Sequence, residues 1–311
     1  MIYDLIIIGA GPAGITAGIY AARRKINFLI ISKNIGGQMS YSSDVENYPG
    51  FHFISGVDLT QKFKQNMRDY NINVKFEEVI DIVKKNKMFI VKTSENFYET
   101  YSVIIASGKS SKKLNVPGED KFLGRGVSYC AICDAIFFKD KDVAVIGGRN
   151  SAFDACLILS KYARKIYLLD EAKKLSGEPF LRDKVLNDKK VTYISEVRIV
   201  EIFGDKNVNG IKFLKNKKYI DISVQGVFIE IGLIPNVSFA KIIEKNKNNE
   251  IKIKRTTKSF EENMTSVKGI FAAGDVTDVP SKQIIIAAGE GAKAALACFN
   301  YIDRIKTRIN R

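Results

Sequence analysis

Two cysteines, Cys130 and Cys133, stand three positions apart in the segment SYCAICDAIF, which spans residues 128–137. A Cys-x-x-Cys pair can supply half of a zinc site, close a structural disulfide or carry electrons as a reversible dithiol. A structural zinc ion takes four Cys or His ligands, and the chain has only two other cysteines and one histidine, with no second ligand pair among them. The spacing therefore favours a redox-active pair, and no metal site is expected. A helix start would also lower a thiol pKa from about 8.5 toward neutrality.

Composition indicates a globular protein in a reducing compartment. The chain has 311 residues, of which 46% are hydrophobic, and this length suits two domains of roughly 100 to 200 residues each. Four cysteines are too few for a disulfide-stapled secreted scaffold, so a cytoplasmic location is expected. Cys156 and Cys298 fall on predicted helices among Ala and Leu, where we expect them to be buried packing residues.

The first nucleotide-binding signal is the glycine-rich segment near residue 10. Ile6–Ile8 suit a central parallel strand that is buried on both faces. Gly9, Gly11 and Gly14 fit the G-x-G-x-x-G fingerprint, in which the glycines allow the turn, the approach of a pyrophosphate and the packing of the next helix. The uncharged run Leu5–Ala22 is thus predicted to be strand, turn and helix, and no membrane anchor is expected.

A second unit of the same kind follows in the middle of the chain. Strand Val143–Ile146, a turn at Gly147 and Gly148, a helix ending near Tyr162 and strand Lys165–Leu169 repeat the βαβ pattern. Two nucleotide-binding folds in one chain are typical of an enzyme that passes electrons between two carriers, or of a relic of one.

The third signal is a Gly-Asp turn near the C-terminal end. Residues Gly269–Ala272 are predicted to form a strand, and a long helix is predicted from about Gln283. Asp275, between them, can accept a hydrogen bond from a sugar-like chain, and the amides at the helix start can face an anion or a ring oxygen. A plain connection between strand and helix is the alternative.

Segments along almost the whole chain resemble the low-molecular-weight thioredoxin reductase family. They are GAGPAGITAGIYAAR, GGQM, VENYPGF, IIASG, CAICD, VAVIGG, IGLIPN and GIFAAGDVTDVPSKQIIIAAGEGAKAA. The resemblance implies a homodimer and an α/β fold of two doubly wound Rossmann-like nucleotide-binding domains, the second inserted in the first. It places an FAD-binding domain at 1–112 and 241–311 and an NAD(P)H-type domain bearing the Cys pair at 113–240. Hinges are expected near Lys112–Leu114 and Asn236–Lys241.

The resemblance also assigns site residues. One thiol of the pair would attack the partner disulfide while Cys133 faces the flavin, and Asp134 would help to protonate the leaving thiolate, so that the catalytic residues are Cys130, Cys133 and Asp134. The FAD-binding residues that it implies are Gly9, Gly11, Pro12, Ala13, Gly14, Gly36, Gly37, Gln38, Asn47, Ala106, Ser107, Gly108, Gly274, Asp275, Lys282, Gln283 and Ile284. The second nucleotide site would use Gly147, Gly148, Asn150, Ser151 and Asp170.

The second fingerprint departs from the family pattern. Arg149 replaces the glycine against which a pyrophosphate would lie. Asp170 and Glu171 follow the next strand where the NADPH enzymes of the family carry a basic cluster, and these acids would repel a 2′-phosphate but accept a ribose diol. NADH is therefore expected in place of NADPH, and a decayed site that binds neither nucleotide is the alternative.

Electrons could instead come from ferredoxin, as in relatives that lack the nucleotide fingerprint. The net charge of +15 would attract acidic proteins such as ferredoxins, although a solvated lysine-rich surface or a compositional bias is the simpler explanation of that charge. No interleaved aromatic stripe accompanies the charge, so nucleic acid is not an expected partner.

The sequence therefore predicts an FAD-dependent thioredoxin-disulfide reductase that acts on a thioredoxin-like protein, with NADH or ferredoxin as the donor. A peroxiredoxin-system reductase is an alternative, because IIIAAGEGAKAAL is also similar to the alkyl hydroperoxide reductase flavoprotein. A ferredoxin-NAD(P) reductase-like flavoprotein is a further alternative, against which the CAICD segment argues, because that chemistry needs no dithiol.

Overall fold

The computed structural model describes residues 2–41 and 44–309. The chain forms two compact units, Met1–Ser110 with Ile234–Arg311 and, inserted between these segments, Ser111–Leu233. Each unit contains a sheet with parallel strands and helices packed against it. The predicted fold class, α/β with two Rossmann-like nucleotide-binding domains of which the second is inserted in the first, is confirmed.

Most elements follow one another closely, and the longest connection runs from β18 to β19. The strands are β1 (Ile2–Ala10), β2 (Phe28–Ile35), β3 (Asp44–Val45), β4 (Ile54–Ser55), β5 (Val74–Lys75), β6 (Val79–Lys85), β7 (Met88–Thr93), β8 (Phe97–Ile105), β9 (Lys109–Ser111), β10 (Val127–Ser128), β11 (Asp142–Ile146), β12 (Lys165–Leu169), β13 (Val191–Ile194), β14 (Arg198–Gly204), β15 (Val208–Lys215), β16 (Lys218–Ser223), β17 (Gly226–Ile229), β18 (Leu233–Pro235) and β19 (Ile270–Ala272). The α-helices are α1 (Pro12–Arg23), α2 (Gly56–Asp69), α3 (Ala131–Asp134), α4 (Asn150–Ser160), α5 (Pro179–Leu186) and α6 (Ile284–Ile309), and 3-10 helices span Gly37–Tyr41 and Ala135–Phe138.

Strand β1 lies inside the sheet of the first unit, whose order is β5-β2-β1-β8-β7-β6 with β19 also paired to β8. It runs parallel to both β2 and β8, and successive side chains point to opposite faces. Ile7 packs with residues of α1 and α6, whereas Ile6 and Ile8 pack on the other face with Phe239. Because both faces are covered, the buried part of the strand, Leu5–Ile8, is a continuous apolar run.

Helix α1 begins immediately after the glycine-rich turn and packs against α6. Pro12 occupies the first helical position, where its missing N–H has no intrahelical partner to lose. A Cβ on Gly291 of α6 would lie 2.1 Å from the carbonyl oxygen of Ala13. The close approach of the two helices therefore requires a glycine at this position.

The second unit is built on a parallel sheet of order β10-β17-β11-β12-β13. Val143 and Val145 of β11 pack on the face that carries α4, and Ala144 and Ile146 pack on the opposite face. The antiparallel sheet β14-β15-β16 contributes Phe213 to that opposite face. The sheet thus has apolar cover on both faces, which explains the uninterrupted apolar run of β11.

The two cysteines outside the pair lie where the sequence predicts, inside helices. Cys156 of α4 and Cys298 of α6 are fully buried. Burial raises the pKa of both thiols, that of Cys298 to about 12. They are therefore packing residues and not nucleophiles at neutral pH.

Within the ranges described above, no helix is both long enough and apolar enough to cross a membrane.

Candidate active site

The cysteine pair forms a disulfide at the start of a short helix in the second unit. Cys130 is bonded to Cys133 and occupies the N-cap of α3. The Sγ atom of Cys130 accepts a hydrogen bond of 3.2 Å from the backbone N–H of Cys133, and the backbone N–H of Cys130 donates to Ser128 Oγ at 3.0 Å. Cys130 is thus the cysteine at the start of the helix, where its sulfur accepts a backbone N–H, and this is a favourable place for an attacking sulfur.

A buried carboxylate fixes the chain next to this pair. Glu119 is only 3% exposed and accepts hydrogen bonds from the backbone N–H groups of Leu114 and Asn115, at 2.9 and 2.6 Å. It also accepts from the hydroxyl of Tyr129, the residue before Cys130. Burial raises the pKa of Tyr129, and the hydrogen bond to Glu119 raises it further. The carboxylate therefore ties the first residues of the unit to the loop that carries the nucleophile.

A groove of about 440 Å³ is lined by residues that precede and follow the pair in the chain, among them Ser128 and Asp134. Its lining includes Asp134, the apolar ring of Phe137 and the cationic groups of Arg125 and Lys141. Ile136 and Phe137 directly follow the active-site segment, yet their side chains are 61% and 67% exposed. Exposed apolar residues that adjoin a groove are typical of a surface that binds another protein.

The residues predicted for the second nucleotide site meet at one edge of the parallel sheet. The chain leaves β11 at Gly147, leaves β12 at Asp170 and leaves β17 at Glu230. A Cβ on Gly147 would lie 2.3 Å from the carbonyl oxygen of Glu230, and a Cβ on Gly148 would lie 1.9 Å from Oδ2 of Asp170. The carboxylate of Asp170 therefore lies directly against the glycine turn.

The other predicted residues of this edge lie at the start of α4. Arg149 is the N-cap of α4, has extended backbone angles and is exposed. Asn150 accepts a hydrogen bond of 2.8 Å from the backbone N–H of Glu178, and Ser151 is exposed on the first turn of α4. Burial raises the pKa of Glu230 to about 8, and the charge of Asp154 adds to this rise. The edge thus combines one arginine with several carboxyl groups.

In the first unit, the glycines of the fingerprint have different packing. A Cβ on Gly9 would lie 2.3 Å from the carbonyl oxygen of Ala106, and a Cβ on Gly14 would lie 1.8 Å from that of Gly9. At Gly11 the nearest heavy atom would be the carbonyl oxygen of Gly36, at 3.9 Å. Gly9 and Gly14 are therefore required by the fold, whereas Gly11 leaves an open cradle at the start of α1.

The remaining residues predicted to bind FAD border the same sheet edge or the start of α6. The amide of Asn47 donates to Oε1 of Gln283 at 3.1 Å, which joins two predicted residues from distant parts of the sequence. A Cβ on Gly274 would lie 3.0 Å from that of Ala13. The others are Pro12 at the start of α1, Gly36 and Gly37 after β2, Gln38 in the 3-10 helix, Ala106, Ser107 and Gly108 after β8, Asp275 after β19, and Lys282 and Ile284 at the start of α6.

This arrangement fits an FAD. The cradle at Gly11 has space for a pyrophosphate against the backbone, and the free N–H groups of α1 would face its charge. The carboxyl group of Asp275, which is partly buried, can accept hydrogen bonds from hydroxyl groups of the cofactor. Among the residues that the structure describes, no three His, Cys, Asp or Glu side chains are grouped so as to hold a metal ion.

Three acidic residues near these sites were not predicted from the sequence: Glu119 and Glu250 are buried and Glu230 is partly buried. Glu119 accepts from Tyr129 beside the cysteine pair, the carbonyl oxygen of Glu230 lies against Gly147, and Glu250 accepts a hydrogen bond from Lys109 in the first unit. The last two residues are 141 positions apart, so no local pattern could relate them. For Glu230, an acid at the end of the apolar run GVFIE was the one available signal.

Comparison with known proteins agrees with this geometry. Residues 3–291 match the family described as pyridine nucleotide-disulphide oxidoreductase. The thioredoxin reductase of Listeria monocytogenes is 36% identical over 310 residues, which cover 98% of this chain and 95% of that protein. Among solved structures, Lactococcus lactis thioredoxin reductase has a TM-score of 0.88 at 31% identity and covers 97% of this chain and 99% of its own. A ferredoxin-flavin thioredoxin reductase of Clostridium acetobutylicum has a TM-score of 0.53 at 30% identity, with 98% and 99% covered. The chain therefore belongs to the pyridine nucleotide-disulphide oxidoreductase family, as a flavoprotein oxidoreductase of the low-molecular-weight thioredoxin reductase type.

Proposed function

We propose that this enzyme is an FAD-dependent thioredoxin-disulfide reductase that passes electrons through the Cys130–Cys133 disulfide to a thioredoxin-like protein. The observation that carries the proposal is the disulfide itself, which lies at the start of α3 beside a groove lined by Asp134 and Phe137. A dithiol in this position has an acid next to it and an exposed surface on which a protein substrate can bind. The relatives named above support the same assignment.

The cysteine pair performs the disulfide exchange. FAD, when bound, would take two electrons from a donor and supply them to the disulfide. Opening the Cys130–Cys133 bond consumes those two electrons and, with two protons, leaves a dithiol. Cys130, whose sulfur accepts the N–H of Cys133, then attacks the partner disulfide, which forms a mixed disulfide and releases the first partner sulfur as a thiolate. Cys133 displaces the partner from the resulting mixed disulfide, and Asp134 gives a proton to the leaving thiolate.

The FAD site is proposed at the edge of the first unit's sheet. The pyrophosphate would lie at Gly11 and the start of α1, and Asp275 would accept hydrogen bonds from cofactor hydroxyl groups. The loop of Ala106–Gly108 and the start of α6 would border the remainder. This site uses the residues that the resemblance to the family assigns to FAD.

We propose that the donor is not NADPH. The carboxylate of Asp170 lies against Gly148, and Glu171 follows it, so a 2′-phosphate there would meet negative charge. NADH has a ribose diol whose hydroxyl groups can donate hydrogen bonds to Asp170. Arg149, the exposed N-cap of α4, occupies the position against which the pyrophosphate would lie. The similarity to a ferredoxin-flavin enzyme supports ferredoxin as the other donor.

An anaerobic reduction experiment tests the function and the donor together. The purified flavoprotein is mixed separately with NADH, NADPH and reduced ferredoxin, and the loss of flavin absorbance is followed with and without an oxidised thioredoxin. We expect rapid reduction by NADH or by ferredoxin, a response to NADPH at least about tenfold slower, and reduction of thioredoxin coupled to reoxidation of the flavin. Rapid reduction by NADPH would contradict the donor assignment, and flavin reduction without any thioredoxin reduction would contradict the function.

The exposed phenylalanine beside the groove is expected to bind the protein substrate. Replacing Phe137 by alanine removes apolar contact area, so the KM for the thioredoxin-like protein should rise roughly tenfold while flavin reduction by the donor stays unchanged. Phe180 of α5 is a matched control, because its ring is 76% exposed in the same unit but does not line the groove. Steady-state kinetics in which F180A and F137A gave the same KM would contradict a docking role for Phe137.

Three further points extend the proposal. The enzyme is proposed to act as a homodimer, as the resemblance to its family implies. A cytoplasmic location is proposed because a dithiol of this kind works where thiols are kept reduced. A peroxiredoxin system would be the destination of the electrons if the thioredoxin-like partner serves a peroxidase.

A further inference from the structure

Asn236, which directly follows β18, holds the loop that follows β8. Its side-chain Nδ2 donates a hydrogen bond of 2.9 Å to the carbonyl oxygen of Ser107. Its backbone carbonyl oxygen accepts from Oγ of Ser107 at 2.7 Å, and its backbone N–H donates to the carbonyl oxygen of Gly108 at 3.0 Å. Asn236 and Ser107 are 129 positions apart in the sequence, so these three bonds join distant segments of the first unit.

A fourth hydrogen bond fixes the direction of the amide. Oγ of Ser110, a residue of β9, donates to Oδ1 of Asn236 at 2.8 Å. Because this hydroxyl uses the acceptor Oδ1, the donor Nδ2 points at Ser107, and both polar atoms of the amide have partners. We call Ser107, Gly108, Ser110 and Asn236 the Asn236 clamp.

The loop in the clamp also lies against the glycine turn of the first fingerprint. A Cβ on Gly9 would lie 2.3 Å from the carbonyl oxygen of Ala106 and 3.1 Å from Cα of Ser107. The backbone N–H of Ala106 donates to the carbonyl oxygen of Ile8 at 2.8 Å. A displaced loop would therefore disturb the turn that leads into the cradle at Gly11.

Gly108 gives the same loop an open face. Its φ is 62°, in the region that favours glycine. Among the described residues other than its neighbours in the chain, no heavy atom lies within 4 Å of a Cβ built on Gly108. The loop is thus fixed where it contacts Asn236 and open at a glycine, where a ligand can approach the backbone closely.

We propose that Asn236 is a positioning residue for FAD: its amide holds the Ser107–Gly108 loop where that loop borders the cofactor. The inference rests on the proposed FAD site and extends it to a residue to which the sequence assigns no role there. In the sequence, Asn236 only begins the expected hinge Asn236–Lys241. Asn236 acts through the backbone of Ser107 and Gly108, which it holds by hydrogen bonds.

A space-filling role explains these contacts less well. Asn236 is only partly buried, so little apolar area depends on its side chain. An amide can donate to a carbonyl oxygen and accept from a hydroxyl at the same time. An aspartate of the same shape, ionised at neutral pH, could accept from Ser110 but could not donate to Ser107. The two substitutions Asn236→Ala and Asn236→Asp therefore distinguish the amide's hydrogen bonds from its volume.

The test measures the FAD affinity of both variants. The full-length proteins are freed of flavin and titrated with FAD at neutral pH, with quenching of flavin fluorescence as the readout, and urea unfolding gives the stability of each apoprotein. Asn27→Ala is the matched control, because Nδ2 of Asn27 also donates to a backbone carbonyl oxygen in the first unit, that of Ile2, at 3.1 Å. Ile2 begins β1, at the opposite end of that strand from the glycine turn.

The FAD affinity should fall roughly tenfold in N236A, because the carbonyl oxygen of Ser107 loses its partner and the loop is no longer held. The fall should be at least as large in N236D, because a carboxylate would then face that carbonyl oxygen. N27A should bind FAD within about twofold of wild type, even where its apoprotein is destabilised as much as that of N236A.

Three results would overturn the inference. Tighter binding of FAD by N236D than by N236A would show that the side chain fills space, equal losses of affinity in N27A and N236A would show general destabilisation, and wild-type affinity in both Asn236 variants would show no role. If N236A or N236D does not fold, Ser110→Ala replaces it. Without the hydroxyl that directs the amide, FAD affinity should fall about threefold, and unchanged affinity would contradict the inference.

The same titrations separate this inference from the function on which it rests. Failure of the wild-type chain to bind FAD would overturn the proposed function. Binding by the wild-type chain with no change in the Asn236 variants would overturn only the role of Asn236.

Discussion

Replacement of Cys130 by serine should abolish the reduction of the thioredoxin-like protein while leaving flavin reduction by the donor intact. Serine lacks both the low pKa and the nucleophilicity of a thiolate, and removal of a catalytic nucleophile lowers turnover by roughly a thousandfold or more. Flavin reduction does not require the dithiol, so its rate should stay within about twofold of wild type. Coupled thioredoxin assays and anaerobic stopped-flow absorbance provide the two measurements.

The Cys133→Ser variant distinguishes the roles of the two thiols. If Cys130 is the attacking group, its thiol alone should form a stable mixed disulfide with the partner, because the resolving thiol is gone. Mass spectrometry would detect this adduct in C133S and not in C130S. An adduct in C130S alone would reverse the assignment, and wild-type turnover in either variant would contradict the mechanism. Cys156→Ala is the control, because that thiol is fully buried in α4 and should not be needed for exchange.

Features that rest on local chain geometry could be predicted from the sequence. Strand Lys165–Leu169 has the predicted bounds, and Cys130 is the N-cap of a helix as the Cys-x-x-Cys pattern indicates. The turn after β1 also follows prediction, since Gly9 has a φ of 105° that favours glycine. Each of these depends on a few neighbouring residues, whose types restrict the backbone directly.

Features that depend on distant residues could not be predicted in this way. The antiparallel sheet β14-β15-β16 packs on one face of the parallel sheet of the second unit. Its strands are partly polar, and no sequence motif indicates where they pack. Glu119 becomes a buried acceptor only when the fold brings Tyr129 and the N–H groups of Leu114 and Asn115 around it. Charge clusters of this kind are invisible in one sequence, because an isolated acid is usually solvent-exposed.

The two glycine fingerprints show which of their positions the fold itself requires. Gly147 of the second unit corresponds to Gly9 of the first. In each unit, a Cβ at this glycine would lie 2.3 Å from the carbonyl oxygen of the residue that follows a neighbouring strand. The position of Gly11 is different. In the second fingerprint, Arg149 occupies the equivalent position and is the N-cap of α4, with extended backbone angles. Helix α4 forms with this side chain present. A side chain there affects what can bind above the turn, but it does not prevent the turn.

Substitution of Gly11 and Gly14 by alanine should therefore separate cofactor binding from folding. In G14A the new Cβ would lie 1.8 Å from the carbonyl oxygen of Gly9, and β1 and α1 would have to move apart. We expect the free energy of unfolding of the apoprotein to fall by about 3 kcal/mol or more. In G11A the nearest atom is 3.9 Å away and φ is −83°, which alanine adopts without strain.

The apoprotein of G11A should keep its stability to within about 1 kcal/mol, since the weaker N-cap preference of alanine and the reduced entropy of its unfolded chain nearly cancel. Its affinity for FAD should nevertheless fall at least about tenfold, because the Cβ takes up space in the cradle proposed for the pyrophosphate. Urea unfolding of the flavin-free proteins and FAD titration supply the two numbers. Wild-type affinity in G11A would place the pyrophosphate elsewhere, whereas unchanged stability in G14A would contradict the packing of α1 on β1. Lost affinity with retained stability in G11A would show that a side chain at this position of a fingerprint hinders the ligand without disturbing the fold, and Arg149 occupies the equivalent position in the second fingerprint.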